Sequence, residues 1–382
     1  MFELINGKTR PHRWLSRSYG FAWLAAFVLP FTAAVHSAPI DRNLQRAKEN
    51  EAAVMIVAGR PESTMMRIAD DLAIALNDPD SGFHVVPVVG DGGIGNVRDL
   101  VLLRNIDLAI TDLTVLEDMK EAKDLSLALH REVAHVLTLF PDKLTILARK
   151  TIRSLEELSG KRVSVGIREG GTAIHAKKIF DALGVDPELA YLASPDAAEA
   201  LVKGDLDAFA CFCLNSPGIY QRVMFNPDLH ILPIPYTPEI GDDYLPTALV
   251  HKDFPSFISK DESVATVAVT LALVTYNWKK GNPRYSRVED FVKRLLNNFS
   301  ALQKPPRHPG WSAVQISAKT QDWPRFAAVT EWQGGRNADA LQEMRVAFSE
   351  FLDRWKPKPA SGKRTEQTKL FEEFLAWQGR ER

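Results

Sequence analysis

The sequence predicts an α/β protein made of two successive units, each a parallel sheet flanked by helices. Three observations predict it. From about Glu51, short β-rich runs alternate with segments of helical periodicity, the alternation a parallel sheet needs because each crossover is a helix. The pattern runs from Ala53 to Thr111 and starts again near Thr151. Glycine-containing turns follow the strands in both units, where open α/β sheets place their ligands.

In the first unit Ala53–Ala58 (AVMIVA) reads as a buried strand and Gly59–Thr64 as a turn. Met65, Ile68, Leu72 and Leu76 then share one helix face. Phe83–Val89 is the next strand, Gly90–Asn96 a glycine turn, and Val97, Leu100, Val101 and Leu103 the face of a second helix. Ile106–Thr111 (IDLAIT) is a third strand. In the second unit Ser154-Leu-Glu-Glu157 has capping-box spacing, and Arg162–Ile167 is a strand. Gly170-Gly171-Thr172 opens a helix with Ala173, Ala176, Phe180 and Leu183 on one face, closed by Gly184. Asp196–Lys203 is a helix, Asp207–Cys213 a strand, and Ser216-Pro217 a helix start. The proline-rich stretch from Pro227 to Pro246 reads as a connector. Val264–Val274 returns to a strand, and Val288, Phe291, Val292, Leu295, Leu296 and Phe299 mark a strongly amphipathic helix. Beyond residue 336, Leu341, Met344, Phe348, Leu352 and Trp355 form a helical stripe. A linker at 356–363 and a last short stripe from Leu370 to Trp377 follow; packing back on a lobe is the default role of both stripes, and a partner-docking helix is the alternative.

A chain of 382 residues, 45% hydrophobic and 25% charged, has material for two buried cores. Its formal charge of −1 supplies no basic field for nucleic acid. The N-terminus reads as an export signal: Lys8, Arg10, Arg13 and Arg17 against one acid, Glu3, then the fifteen-residue apolar run Phe21–Val35. That run is short for a membrane span and suited to a signal-peptide core. Cleavage is expected between Ala34 and Ala38, with an uncleaved anchor as the alternative. Removal of residues 1–37 leaves 43 basic and 47 acidic residues, a net charge of −4. Val264–Val274 is too short to cross a bilayer. Cys211 and Cys213 project to one face of a strand; alone they cannot complete a zinc site, and buried small residues are the simpler reading.

The turns Gly59–Thr64, Gly90–Asn96 and Gly166–Thr172 each set small or hydroxyl residues at a helix start. The free N–H groups there and the helix dipole favour an anion, although Ser63, Thr64 and Thr172 also suit plain helix capping. Gly90-Asp-Gly92-Gly-Ile-Gly95 matches G-x-G-x-x-G, with Asp112 placed as the ribose-binding acid. A dinucleotide-dependent oxidoreductase is therefore the reading from another class. Against it stand the position of the turn in the second βα unit, the export signal and the lack of an acid–base pair. The nine histidines are scattered, and no Gly-x-Ser-x-Gly elbow occurs. We expect no catalysis, no metal and no cofactor. His175 reads as an exposed or capping-region histidine.

Three stretches carry a family resemblance: Gly92–Asn96 with Arg98–Ile110, Gly160–Gly166 with Gly170–Thr172, and Tyr244–Thr247 with Val264–Val274. With these the chain resembles the TAXI group, the solute-binding subunits of TRAP (tripartite ATP-independent periplasmic) transporters, over roughly residues 52–301. The resemblance implies a periplasmic-binding-protein type II-like fold, two lobes on hinge strands, with a small organic anion or amino acid between them. It implies delivery to a TRAP membrane permease, a monomer, and a periplasmic location. By position it implies that Thr64, Gly93, Asp112, Gly171 and Thr172 line the cleft with Asn215. Ser63 and Asn96 belong to the same turns, and Arg168 either clamps a carboxylate bidentately from a buried position or sits exposed at the lobe edge. The first turn, Gly59-Arg-Pro-Glu-Ser-Thr64, departs from the family's glycine- and aromatic-rich form, and Arg168-Glu169 precede the second glycine pair. The expected organisation is a signal peptide at 1–37, one lobe from 52–147 plus 248–335, a second from 148–247, and a helical extension at 336–382. A stand-alone exported sensor is the other binding-protein reading.

Overall fold

The computed structural model describes residues 53–121, 132–213, 217–318, 323–355 and 374. The export signal, Asn215 and the last apolar stripe apart from Phe374 lie outside the described residues.

The first lobe begins with β1 (Ala53–Val57), α1 (Thr64–Leu76), β2 (His84–Val88), α2 (Gly93–Leu102), β3 (Leu108–Asp112) and α3 (Leu113–Glu121). Burial of Met65, Ile68, Leu72 and Leu76 gives α1 the face its sequence predicts. Leu103, read as part of the buried face of α2, is its C-cap and 51% exposed, because the chain leaves helical phase there. β4 (Val133–Lys143) completes this part of the lobe, and β5 (Thr145–Arg149) opens the second.

The second lobe continues with β6 (Arg162–Ser164), α4 (Gly171–Ala182), β7 (Glu188–Ala190), α5 (Ser194–Lys203), β8 (Ala208–Cys211), α6 (Pro217–Val223) and β9 (Leu229–Leu232). Gly204, with φ +96°, ends α5 in the left-handed conformation that glycine adopts without steric cost. Cys211 and Cys213 are buried and bonded to each other. The chain then returns through β10 (Leu245–Val250) and β11 (Ser263–Tyr276) to α7 (Pro283–Asn297), α8 (Phe299–Leu302) and α9 (Ala327–Trp355). The face expected on α7 and α8, from Val288 to Phe299, is buried. α9 runs unbroken from Ala327 across residue 336, carrying Gly334 and Gly335 inside it.

The two sheets repeat one plan. In the first, β2, β1 and β3 run parallel in that order, and β11 lies antiparallel beside β3. In the second, β7, β6 and β8 run parallel and β5 lies antiparallel beside β8. The α/β class with two lobes is what the alternation predicted. The proline-rich stretch is more than a connector: Leu229–Leu232 is β9, an edge strand on β5, and Pro246 sits within β10 against Val267. Proline is tolerated within β10 because an edge strand needs ladder donors on one side only.

The chain crosses between lobes at Leu144 and again between β9 and β10. Both crossings are tied to the first half of β11, by Leu144 N–H to Val267 O and by Ile234 N–H to Ala265 O, at 2.9 Å each. β11 is thus the shared rail of the hinge. Its second half is antiparallel to β3 and β4 at once. Trp311, fully buried, donates from Nε1 to Asp71 at 2.9 Å and fixes the returning chain on α1. Core side chains such as Ile68, Leu72 and Phe291 are fully buried, each contributing about 1.5–3 kcal/mol relative to exposure.

Candidate functional site

The carboxyl ends of both sheets face one cavity of about 70 Å³. It is lined from the first lobe by Gly59, Arg60, Glu62, Ser63, Met65, Asp91, Gly92 and Asp142. The second lobe adds Gly166, Ile167, Gly170, Gly171, Thr172, Ala193, Ser194, Phe212 and Cys213. At 10–15 Å³ of such space per water, it has room for roughly five waters or a compact polar group. A wider chamber of about 340 Å³, bordered by Arg67, Asp70, Pro217 and Arg307, adjoins it and shares Glu62 and Ser63.

The starts of α1, α2, α4 and α5 all border the small cavity. α1 is capped: the Ser63 hydroxyl accepts from Met66 N–H at 3.1 Å and donates to Arg60 O at 2.8 Å. The caps of the other three, Gly92, Gly170 and Ala193, provide no side-chain hydrogen bond. Their first N–H groups receive no acceptor from a cap side chain, Pro195 of α5 having no N–H to offer, and the three dipoles point positive ends at one space.

Two glycine turns meet edge to edge between the lobes. Gly93, at φ +52°, lies so near Gly171 that a Cβ on it would stand 3.1 Å from the Gly171 backbone and from Ile174. Just behind this contact a buried polar chain crosses from lobe to lobe. His175 Nε2 lies 3.2 Å from Asp112 Oδ2, and His175 Nδ1 lies 3.0 Å from the Tyr244 hydroxyl. Phe212 and Tyr244 stand edge-on to the imidazole, centroids at 5.5 Å. Burial pushes the Tyr244 phenol up from its ordinary range. Lys178 adds a half-buried bridge to Asp118 at 2.7 Å and Asp243 at 3.1 Å. Arg98–Glu169, at 3.2 Å, is exposed and adds little.

The residues singled out from the sequence therefore separate. Ser63, Gly171 and Thr172 line the cavity, and Thr172 is not a cap, since α4 is capped by Gly170. Thr64 donates to Asp142 Oδ1 at 3.0 Å. Gly93 makes the inter-lobe contact, and Asp112 is paired with His175. Arg168 is stacked over Tyr191 at 4.1 Å and is not on the cavity wall. His175, expected at the surface, is fully buried; α4 is covered on two sides, and a single apolar stripe reveals only one of them.

Asn96 is a brace. Its Nδ2 donates to Ala58 O and Ile110 O at 2.6 and 2.7 Å, and its Oδ1 accepts from Gly92 N–H at 3.0 Å. It thereby ties the ends of two strands to the glycine turn. Asn96→Ala orphans three buried backbone groups and is expected to cost on the order of 3 kcal/mol, read as a lower urea midpoint. A loss under about 0.5 kcal/mol would refute the brace.

The residue that sequence reasoning missed is Asp142. It is buried near the end of β4 and lines the cavity. Burial raises its carboxyl to about 7, against the lowering effect of the Thr64 hydroxyl and the Lys143 backbone N–H. An acid two residues beyond the mostly apolar run Val133–Phe140 was the available signal, because a buried carboxyl needs a reason.

A family model described as the NMT1-like family matches residues 84–314, more than half of the chain. Among solved structures the chain is similar to that of a periplasmic transporter, at 18% identity and TM-score 0.43, covering 66% of this chain and 84% of that one. A substrate-binding protein of an ABC uptake transporter from Streptococcus pneumoniae, with bound histidine, matches at 13% identity and TM-score 0.42, covering 70% and 94%. The alkanesulfonate-binding protein SsuA from Xanthomonas axonopodis pv. citri, bound to MOPS, matches at 14% identity and TM-score 0.41, covering 80% and 95%. The extent of the family match, over both glycine turns and both crossings, establishes that this chain belongs to the NMT1-like family.

Proposed function

We propose that the protein is an extracytoplasmic solute-binding subunit that captures a compact organic anion or amino acid between its lobes and presents it to a membrane permease. The observation that carries this reading is the cavity walled by both lobes, at which three helices begin without side-chain caps. The TRAP permease of the TAXI type, suggested by the sequence resemblance, is the partner we assign. The basic, apolar N-terminus supports export, and among the described residues no helix is long and apolar enough to cross a membrane.

The oxidoreductase reading loses its main support at the glycine turn. Gly92 and Gly93 lie against the backbone of Gly171, where a pyrophosphate would have to sit, and Asp112 is engaged by His175.

A thermal-shift screen over organic acids and amino acids tests the proposal. A binder at ~100 times its dissociation constant stabilises the fold by about 2.7 kcal/mol. Thr172→Ala, which removes a hydroxyl from the cavity wall, should weaken that binder by about 1.5–3 kcal/mol with the protein still folded. A screen without a hit, or a binder indifferent to Thr172→Ala, counts against the site.

A further inference from the structure

An anion site made of helix starts has no need of a buried acid, yet this one contains Asp142, 4% exposed and on the cavity wall. The Thr64 hydroxyl donates to its Oδ1 at 3.0 Å, and the Lys143 backbone N–H also donates to it. A carboxylate can accept about four hydrogen bonds, so the protein satisfies it in part. Among the described residues no lysine or arginine pairs with it. The Lys143 ammonium is turned to Asp253 and Ala248 O. The other charged groups on the wall are Arg60, Glu62 and Asp91. Behind the wall, Asp112 opposes ionisation of Asp142 and His175 favours it. A fully deprotonated anion drawn in by the helix starts therefore meets a carboxyl that repels it when ionised.

We propose that Asp142 is the specificity-determining residue of the cleft: its carboxyl receives a hydrogen bond from an ammonium or acidic hydroxyl on the ligand, so the site takes a compact anion that also carries a proton donor and rejects a donor-less anion of the same size. This rests on the cavity being the ligand site. The poise of Asp142 near neutrality makes the exchange readable. A ligand donor stabilises its ionised form and releases part of a proton, whereas a donor-less anion drives proton uptake.

Calorimetry at pH 7 with two matched pairs, hydrogen phosphate against sulfate and aspartate against succinate, tests the assignment and separates the acidic-hydroxyl donor from the ammonium. In at least one pair the donor-bearing member should bind about tenfold tighter, a difference of ~1.4 kcal/mol. Asp142→Asn should shrink that ratio below about threefold. A mere packing defect would weaken both members alike and leave the ratio unchanged. With wild-type protein alone, repeating the aspartate and succinate titrations in buffers of different ionisation enthalpy should show proton release with aspartate and uptake with succinate. Equal or tighter binding of sulfate and succinate, or a ratio that survives Asp142→Asn, overturns the role of Asp142 and leaves the cleft standing. Absence of heat from all four overturns this proposal together with the compact-anion reading.

Discussion

Gly93→Val is expected to lower affinity for the ligand about 100-fold while both lobes remain folded. The Cβ it introduces would stand 3.1 Å from Gly171 and Ile174, which belong to the other lobe. Lobe separation relieves that clash without disturbing either core. If the closed form falls to about 1% of the population, apparent affinity falls by the same factor. The left-handed φ of Gly93 adds a local cost of roughly 1–2 kcal/mol for a branched residue. Gly95→Ala is the control: two residues on, its Cβ would meet only Asp91 at an ordinary 3.5 Å. That substitution should be neutral or stabilising by about 0.5–1 kcal/mol, since it replaces a helical glycine. Small-angle scattering should show a larger radius of gyration for Gly93→Val alone. An unchanged radius and affinity would mean that the two turns are not the contact that limits closure.

The buried Asp112–His175 pair should give the largest loss of fold stability. Asp112→Ala leaves His175 without its carboxylate, in a place where both side chains are at most 1% exposed, and also removes the acceptor for Val115 N–H at 2.8 Å. Removal of one partner of such a pair costs about 3–5 kcal/mol. His175→Leu should cost a similar amount by leaving Asp112 unmatched. The double substitution should cost less than the sum by roughly 1–3 kcal/mol, because the second change removes the group that the first had orphaned. Urea unfolding of the four proteins measures the coupling. Additive losses would show that the two side chains act independently despite their 3.2 Å separation.

Much of the fold could be read from local pattern. The apolar faces of α1 and α7 and the glycine that follows α4, Gly184, follow from periodicity and backbone sterics within a few residues. Ser63 and Thr172 carry the local signature of a helix start, and the structure brings both to one cavity. Arg168 shows the limit of the method. Its residue type suits a carboxylate, but only packing decides that its guanidinium lies on Tyr191.

The sequence by itself therefore determined the α/β class, the division into two units and the turns at which helices begin, because each is set by interactions between near neighbours in the chain. Tertiary structure decided which groups meet. Thr64 and Asp142 are 78 residues apart and His175 and Tyr244 are 69 apart, and no local rule of propensity or capping relates them. Their pairing follows from the hinge, where both crossings are tied to β11 and the second lobe is set so that α4 faces α2. A buried polar group acquires its chemistry from whatever that arrangement places within about 3 Å of it.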